Sequence, residues 1–310
     1  MVKERIFFSV IIPTYNRAAV INLAIDSVLK QSFTNWEIII VDDGSTDNTR
    51  DVVLSFQDPR IKYFYKENEE RSIARNYGIK RSIGVYVCFL DSDDIYFSNH
   101  LNSLYSEIEN QNFSIGLFHT ELVIKQKEKI IEVNWFRGYG SERVTESLLK
   151  NMALYINAVC VSSEILKTFQ FPEQFNYWED QHLWLRILNS YPFYPVHSIT
   201  TQWNVSSFSS VNTNYTNRTV NNIRNHLACI QDLQGNKVLW KNNILNYNLF
   251  ENLKKSKASM YLGQSIKDGY FFLAFRQYLM SLKYIDFKEI TSIYINLNKK
   301  RFNTFKIWKK

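Results

Sequence analysis

Three short apolar runs dominate the first 94 residues, and each is closed by a polar cluster. "FFSVII" (7–12) runs into "PTYNR" (13–17), "EIIIV" (37–41) into "DDGS" (42–45), and "VYVCFL" (85–90) into "DSDD" (91–94). Continuous β-branched and aromatic runs of this length mark strands buried on both faces, as in a sheet covered by helices. Helical patterns lie between them: Ile21, Ala24, Ile25, Val28 and Leu29 share one face within 17–31, and 71–82 reads as a second helix. "IKYFY" (61–65) is a further strand. Strand and helix alternate, so this half is α/β, with a mostly parallel central sheet flanked by helices. In such sheets ligands bind beyond the carboxyl ends of the strands, which lines the three polar clusters along one edge.

After Asp94 the alternation loosens. "IGLFHTELVI" and "KIIEVNWF" are hairpin-like runs that suggest antiparallel additions, and a helix is expected over 180–191. From about residue 215 the pattern is helical to the end, which divides the chain into 1–212 and a helical, basic region 213–310. Charge follows this division. Residues 1–210 hold 20 Lys+Arg against 25 Asp+Glu, whereas 211–310 hold 17 against 5. A basic region on an acidic body points to an anionic partner surface.

Hydrophobic content of 45% with 22% charge excludes disorder. Cys88, Cys160 and Cys229 stand far apart without CxxC spacing, against a disulfide framework or a zinc site. "MVKERIFFSVIIP" lacks the pattern of a signal peptide, and no stretch approaches the roughly 20 apolar residues of a membrane span. The expectation is a cytoplasmic protein. The tail "NKKRFNTFKIWKK" (298–310) interleaves six basic residues with Phe302, Phe305, Ile307 and Trp308, which suits a peripheral contact with the inner face of the plasma membrane. The earlier run "DGYFFLAFRQYLMSLKY" is apolar on more than one face and reads as a packed helix. Nucleic acid is not expected, because no recognition motif accompanies the charge.

Three aspartates within four positions repel one another unless a cation or a hydrogen-bonding ligand sits among them. Phosphate cradles of the GxxxxGK[ST] and GxGxxG types are missing. A Mg²⁺ or Mn²⁺ held by aspartate oxygens, with its other positions open to phosphate oxygens, reconciles "DSDD" with a diphosphate ligand. The alternative is a solvated aspartate-rich turn that caps the next helix.

"SVIIPTYNR", "IIIVDDGSTDNT", "ARNYGI…GVYVCFLDSDD" and "ED…LWLRIL" together resemble glycosyltransferase family 2, in order over about residues 7–210. The resemblance implies a GT-A nucleotide-sugar-binding fold and inverting transfer of a sugar, from a UDP-sugar donor, to a hydroxyl of a glycan or lipid-linked acceptor. It implies that Pro13, Thr14, Tyr15, Arg17, Asp43, Arg75 and Asp91 bind the nucleotide. Asp93 and Asp91 would hold Mn²⁺ or Mg²⁺, and Asp180 would be the general base, with Glu179 as its fallback. From the residues alone, "ED" reads first as a helix first-turn pattern favoured by the helix dipole, and the preceding blocks reverse that ordering.

Two departures stand out. "NEERSIARN" carries Glu70 and Arg71 where the family usually has a glycine, and "QWNVSSFSS" offers Asn204 where many relatives have a histidine. His182 and His197 read as structural hydrogen-bonders. Two other readings compete. One is a phosphatase of the haloacid dehalogenase type, which expects Thr or Val at Ile95 and its aspartate pair after the first strand. The other is an inactive family member that serves as a membrane-associated sugar-binding scaffold.

Overall fold

The structure is a computed structural model and describes residues 5–134, 136, 138–139, 144–145, 147–148, 153–205, 215–235, 247–267 and 271–307. Contacts divide the chain into two compact units, Met1–Asn212 and Thr213–Lys310.

In the first unit the apolar runs form β1 (Phe8–Thr14), β2 (Trp36–Asp43), β3 (Ile61–Lys66) and β4 (Tyr86–Phe89), hydrogen-bonded in parallel in the order β3-β2-β1-β4. Helices α1 (Ile21–Leu29), α2 (Thr49–Leu54) and α3 (Arg71–Ile79) make the crossovers. α1 buries Ile21, Ala24, Ile25 and Val28, the face its periodicity predicts. Beyond β4 the sheet becomes mixed through β5 (Ile95–Tyr96), β6 (Leu117–Gln126), β7 (Lys129–Val133), β8 (Val159–Ser162) and β9 (Phe193–Asn204), in the order β4-β8-β6-β9-β5. β7 folds back on β6 as the expected hairpin. Helices α4 (His100–Asn110), α5 (Ser163–Leu166) and α6 (Glu179–Leu188) complete this unit. Cys88 and Cys160 are register partners on β4 and β8, and all three cysteines are free and buried.

The amino ends of the parallel strands are tied by a buried polar network. Glu37 is 2% exposed; its Oε1 accepts from the Ser9 hydroxyl at 2.6 Å and from the Ile83 amide at 2.9 Å, and its Oε2 pairs with Lys62 at 2.5 Å. Ser9 Oγ in turn accepts from the Gly84 amide at 2.9 Å. A Cβ at Gly84 would stand 2.6 Å from the Ser9 nitrogen, so only glycine allows this approach. These buried ties thus gather at the amino edge, and the polar clusters lie at the carboxyl edge.

The second unit holds α7 (Tyr215–Gly235), α8 (Tyr247–Lys267), α9 (Phe271–Ser281) and α10 (Phe287–Ile307). Among the described residues no helix is long and apolar enough to cross a membrane. α9 differs from the packed helix read in its sequence: Leu273, Ala274, Gln277 and Ser281 are buried, while Phe272, Phe275 and Leu279 are exposed. The backbone of α10 runs into the basic tail, but the tail's side chains from Lys299 onward, and residues 308–310 altogether, lie outside the described residues.

Glu70, at the amino end of α3, has φ +80° and ψ 160°, a conformation suited to glycine. The backbone therefore keeps the shape of the expected glycine although its sequence has lost it. Glu70 is exposed, so its removal costs no buried contact. Glu70→Gly should raise stability by about 1 kcal/mol, the strain relieved less the greater freedom of the unfolded chain. The midpoint of urea unfolding checks this, and an unchanged or lower midpoint would show an unstrained backbone.

Candidate active site

β2, β1 and β4 are adjacent and parallel, so "PTYNR", "DDGS" and "DSDD" emerge on one edge as expected. At the end of β1, Pro13 is half-buried, Thr14 is buried and Tyr15 is 46% exposed. Thr14 Oγ1 has no hydrogen-bond partner among the described residues. The two loops that follow β1 and β2 are stitched together. The amide of Asn16 donates to Ser45 Oγ at 2.9 Å, Asn16 Oδ1 accepts from the Thr46 amide at 2.8 Å, and the Arg17 amide donates to Thr49 Oγ1 at 2.9 Å. The Arg17 guanidinium donates to the carbonyls of Tyr15 and Asn16.

The two aspartates of "DDGS" divide the work. Asp42 is structural: Oδ1 accepts from the Ser45 amide at 2.8 Å and Oδ2 from the Tyr63 hydroxyl at 2.6 Å. Asp43 accepts at Oδ1 from Lys66 Nζ (2.6 Å) and from the Glu69 amide (3.1 Å), and its Oδ2 carries no hydrogen bond among the described residues. Lys66 has no motif to announce it, so sequence reasoning missed it.

Past β4, the three aspartates have different environments. Asp94 is 2% exposed, accepting at Oδ2 from Asn157 Nδ2 (3.2 Å) and at Oδ1 from the Asn204 amide (2.9 Å). It fastens the turn to the end of β9 and neither caps a helix nor faces open space. Burial, then the charges of Asp91 and Asp93, push its carboxyl well above the usual range. Asn204 also donates to the Asp93 carbonyl at 2.7 Å. Desolvation works to raise Asp91, but Arg75, with Arg71 and Arg17, outweighs it and holds the carboxyl low. Asp93 is raised by desolvation and by Asp91, and it has no ion pair among the described residues.

This donor set fits a divalent cation. Asp91 Oδ2 accepts no hydrogen bond among the described residues, Asp93 is met by its own backbone amide, and the repulsion between the two carboxylates is what a cation relieves. Among the described residues no group of three or more His, Cys, Asp or Glu converges for metal binding. Two carboxylates suit an ion that completes its shell with phosphate oxygens and water.

Arg75 joins this turn to the start of α6. The side chain is 2% exposed, with Nη2 2.8 Å from Asp91 Oδ1 and Nη1 2.9 Å from Glu179 Oε1. Arg75 is therefore enclosed by carboxylates rather than open to a ligand. Its neighbours on α3 secure the segment ahead of α6: Ser72 Oγ donates to the Phe175 carbonyl at 3.2 Å, and the Asn76 side chain exchanges hydrogen bonds with the Phe171 backbone at 2.9 and 3.0 Å. Trp178, at φ +66°, turns the chain into α6, whose first residues are Glu179 and Asp180. Glu179 is buried and held by Arg75, with Arg71 at 3.8 Å. Asp180 is half-buried and accepts from the Gln181 amide at 2.7 Å. Desolvation and then the Glu179 charge, against the pull of Arg75, push Asp180 up to about 7.

The edge thus gathers Pro13 to Arg17, Asp43, Asp91 and Asp93, and Arg75 ties Asp91 to the Glu179–Asp180 turn. The two histidines lie in other settings. His182 is buried with its ring 5.6 Å from Phe175, and His197 pairs with Glu121 at 3.7 Å. The serines at 206–210 lie outside the described residues.

The family model described as glycosyl transferase family 2 matches residues 9–163, half of the chain, and stops short of Glu179 and Asp180. The Escherichia coli enzyme WfgD, named UDP-Glc:alpha-D-GlcNAc-diphosphoundecaprenol beta-1,3-glucosyltransferase, is 37% identical over 182 residues, 58% of this chain and 69% of that protein. An uncharacterized glycosyltransferase of Rickettsia felis is 38% identical over 181 residues, of which this chain covers 58% of itself but only 30% of the relative. Among solved structures, S. aureus TarS 1-349 in complex with UDP-GlcNAc superposes with a TM-score of 0.64 at 18% identity, covering 96% of this chain and 92% of that one. At that identity the likeness shows the fold, which is of the GT-A type. The chain belongs to glycosyl transferase family 2.

Proposed function

We propose that this chain moves a sugar from a nucleoside-diphosphate donor, with uridine diphosphate as carrier, to a hydroxyl of a glycan or lipid-linked acceptor, inverting the anomeric centre. The observation that carries the reading is the Arg75 bridge. It brings a carboxylate pair suited to a cation and diphosphate together with a half-buried aspartate pushed up to about 7, from positions some 90 residues apart. A base poised near neutral pH matches what proton removal from a hydroxyl requires. The names of WfgD and of the TarS complex support a UDP-sugar donor, and the name of WfgD supports a diphosphoundecaprenol-linked acceptor.

In this reading Tyr15, Pro13 and Thr14 receive the nucleoside, and Asp43 accepts a hydrogen bond from the base. Arg17, with Arg71, balances charge around Asp91 and Asp93. These two would hold Mn²⁺ or Mg²⁺, which supplies Lewis-acid neutralisation of the departing diphosphate. Asp180 takes the acceptor proton as its oxygen attacks the anomeric carbon through an oxocarbenium-like state. Glu179, bound to two arginines, is a positioning and tuning residue rather than the base. Arg75 acts through Asp91 and Glu179 and does not touch the nucleotide. The region 213–310 places the enzyme on an anionic membrane surface, beside a lipid-linked acceptor and on the cytoplasmic side.

Asp180→Asn should lower kcat by about 10²–10⁴-fold and leave nucleotide affinity unchanged by calorimetry. A collapse of affinity instead would move Asp180 from chemistry to donor binding. In wild type, kcat/KM should climb with pH through about 7, because only the deprotonated carboxylate accepts a proton. Glu179→Gln removes a charge that raises Asp180, so the rising limb should move to lower pH. A rate lost equally at every pH would end the tuning role. Asp93→Ala should abolish the Mn²⁺-dependent part of UDP binding in a titration, and retention of that part would remove Asp93 from the metal site.

A further inference from the structure

The exposed face of α9 is more specific than the basic charge of its region. Phe272, Phe275 and Leu279 are 76%, 45% and 49% exposed and recur at the spacing of one helical face. Arg276 is exposed on the same face, and Lys283 is exposed in the turn beyond α9. Phe287, 63% exposed, and Lys288 follow at the start of α10. The opposite side of α9 is already packed through Leu273, Ala274, Gln277 and Ser281. The packed face is mixed, with Gln277 and Ser281 hydrogen-bonded within it, and folding of this unit leaves the apolar row outside.

Among the described residues, the two acids that follow α9 in sequence have partners of their own. Asp286 Oδ1 accepts from the Lys288 amide at 2.9 Å, and Glu289 pairs with Lys255 at 2.6 Å. That leaves aromatic and aliphatic side chains rimmed by cations, in a region with 17 Lys+Arg against 5 Asp+Glu. An apolar row with a basic rim matches a lipid interface, where side chains enter the acyl boundary and cations meet anionic headgroups. It is a poor match for an acidic protein surface, which would leave the phenyl rings without apolar partners.

We propose that the Phe272–Phe275–Leu279 face of α9, with Arg276 and Lys283, is the surface through which this protein docks on an anionic membrane. It deepens the membrane placement given under Proposed function and rests on that placement, not on the nucleotide chemistry. A lipid-linked acceptor would then be met by an enzyme held at the bilayer without a span.

The test is co-sedimentation of the full chain with phosphatidylcholine vesicles, with and without phosphatidylglycerol. Wild type should pellet with the anionic vesicles, stay in solution with the neutral ones, and be released by high salt. The triple variant Phe272→Ser, Phe275→Ser, Leu279→Ser should lose at least about tenfold in partitioning. Since all three side chains are exposed, UDP titration and thermal unfolding should match wild type and confirm an intact fold. Partitioning of the triple variant equal to wild type overturns the proposal, as does wild type that ignores anionic vesicles. A wild-type dimer that the triple variant dissociates, seen by light scattering, overturns it too and makes the face a contact between copies. Nucleotide binding is read separately, so failure of the transferase reading leaves the vesicle result interpretable.

Discussion

A guanidinium buried at 2% exposure cannot stand alone, and the first unit is arranged around satisfying the one on Arg75. Two carboxylates do this from opposite directions, Asp91 from the end of β4 and Glu179 from the start of α6. Burial opposes the charge on Arg75, yet the paired acids outweigh it and keep the guanidinium protonated. Loss of either acid would leave an uncompensated charge in the interior, which is far more costly than losing a surface pair. The bridge therefore constrains geometry: it fixes how far the aspartate turn can stand from the helix that presents Asp180.

The same pairing sorts acids that composition treats alike. Arg75 holds Asp91 low, Asp93 without an ion pair rises, and Asp94, sealed beneath them, rises further. On the other side, Glu179 takes the arginines, and desolvation, then the Glu179 charge, lifts Asp180. Like carboxylates acquire different proton affinities because each has a different nearest cation and a different access to water. The proposed division between metal holding, fastening and proton removal follows from that sorting.

Much of this was legible in the residues. Continuous apolar runs located β1 to β4 and a period-3.6 pattern located α1, since strands buried on both faces and amphipathic helices leave distinct spacing. The hairpin of β6 and β7 was equally visible. The backbone at Glu70 has a glycine-like conformation, so the departure in "NEERSIARN" falls on a strained position. Asn204 stands beside the aspartate turn through hydrogen bonds to Asp93 and Asp94. Lys66, Asn157 and the exposed face of α9 were not legible. A single lysine, a single asparagine and an all-round apolar helix have no spacing that tells a contact from a solvated surface.

By itself the sequence determined the alternation of strand and helix, the edge on which the polar clusters emerge, and the charge contrast between the two regions. These are properties of neighbouring residues, set by backbone periodicity and by the chirality of parallel crossovers. Only the tertiary structure decided which acid meets which base. Arg75 and Glu179 lie 104 residues apart, as Asp94 and Asn204 lie 110 apart, and no local pattern encodes such pairs. The proton affinity of a carboxylate depends on distance to other charges and on loss of water, and both are quantities that exist only once the chain has folded.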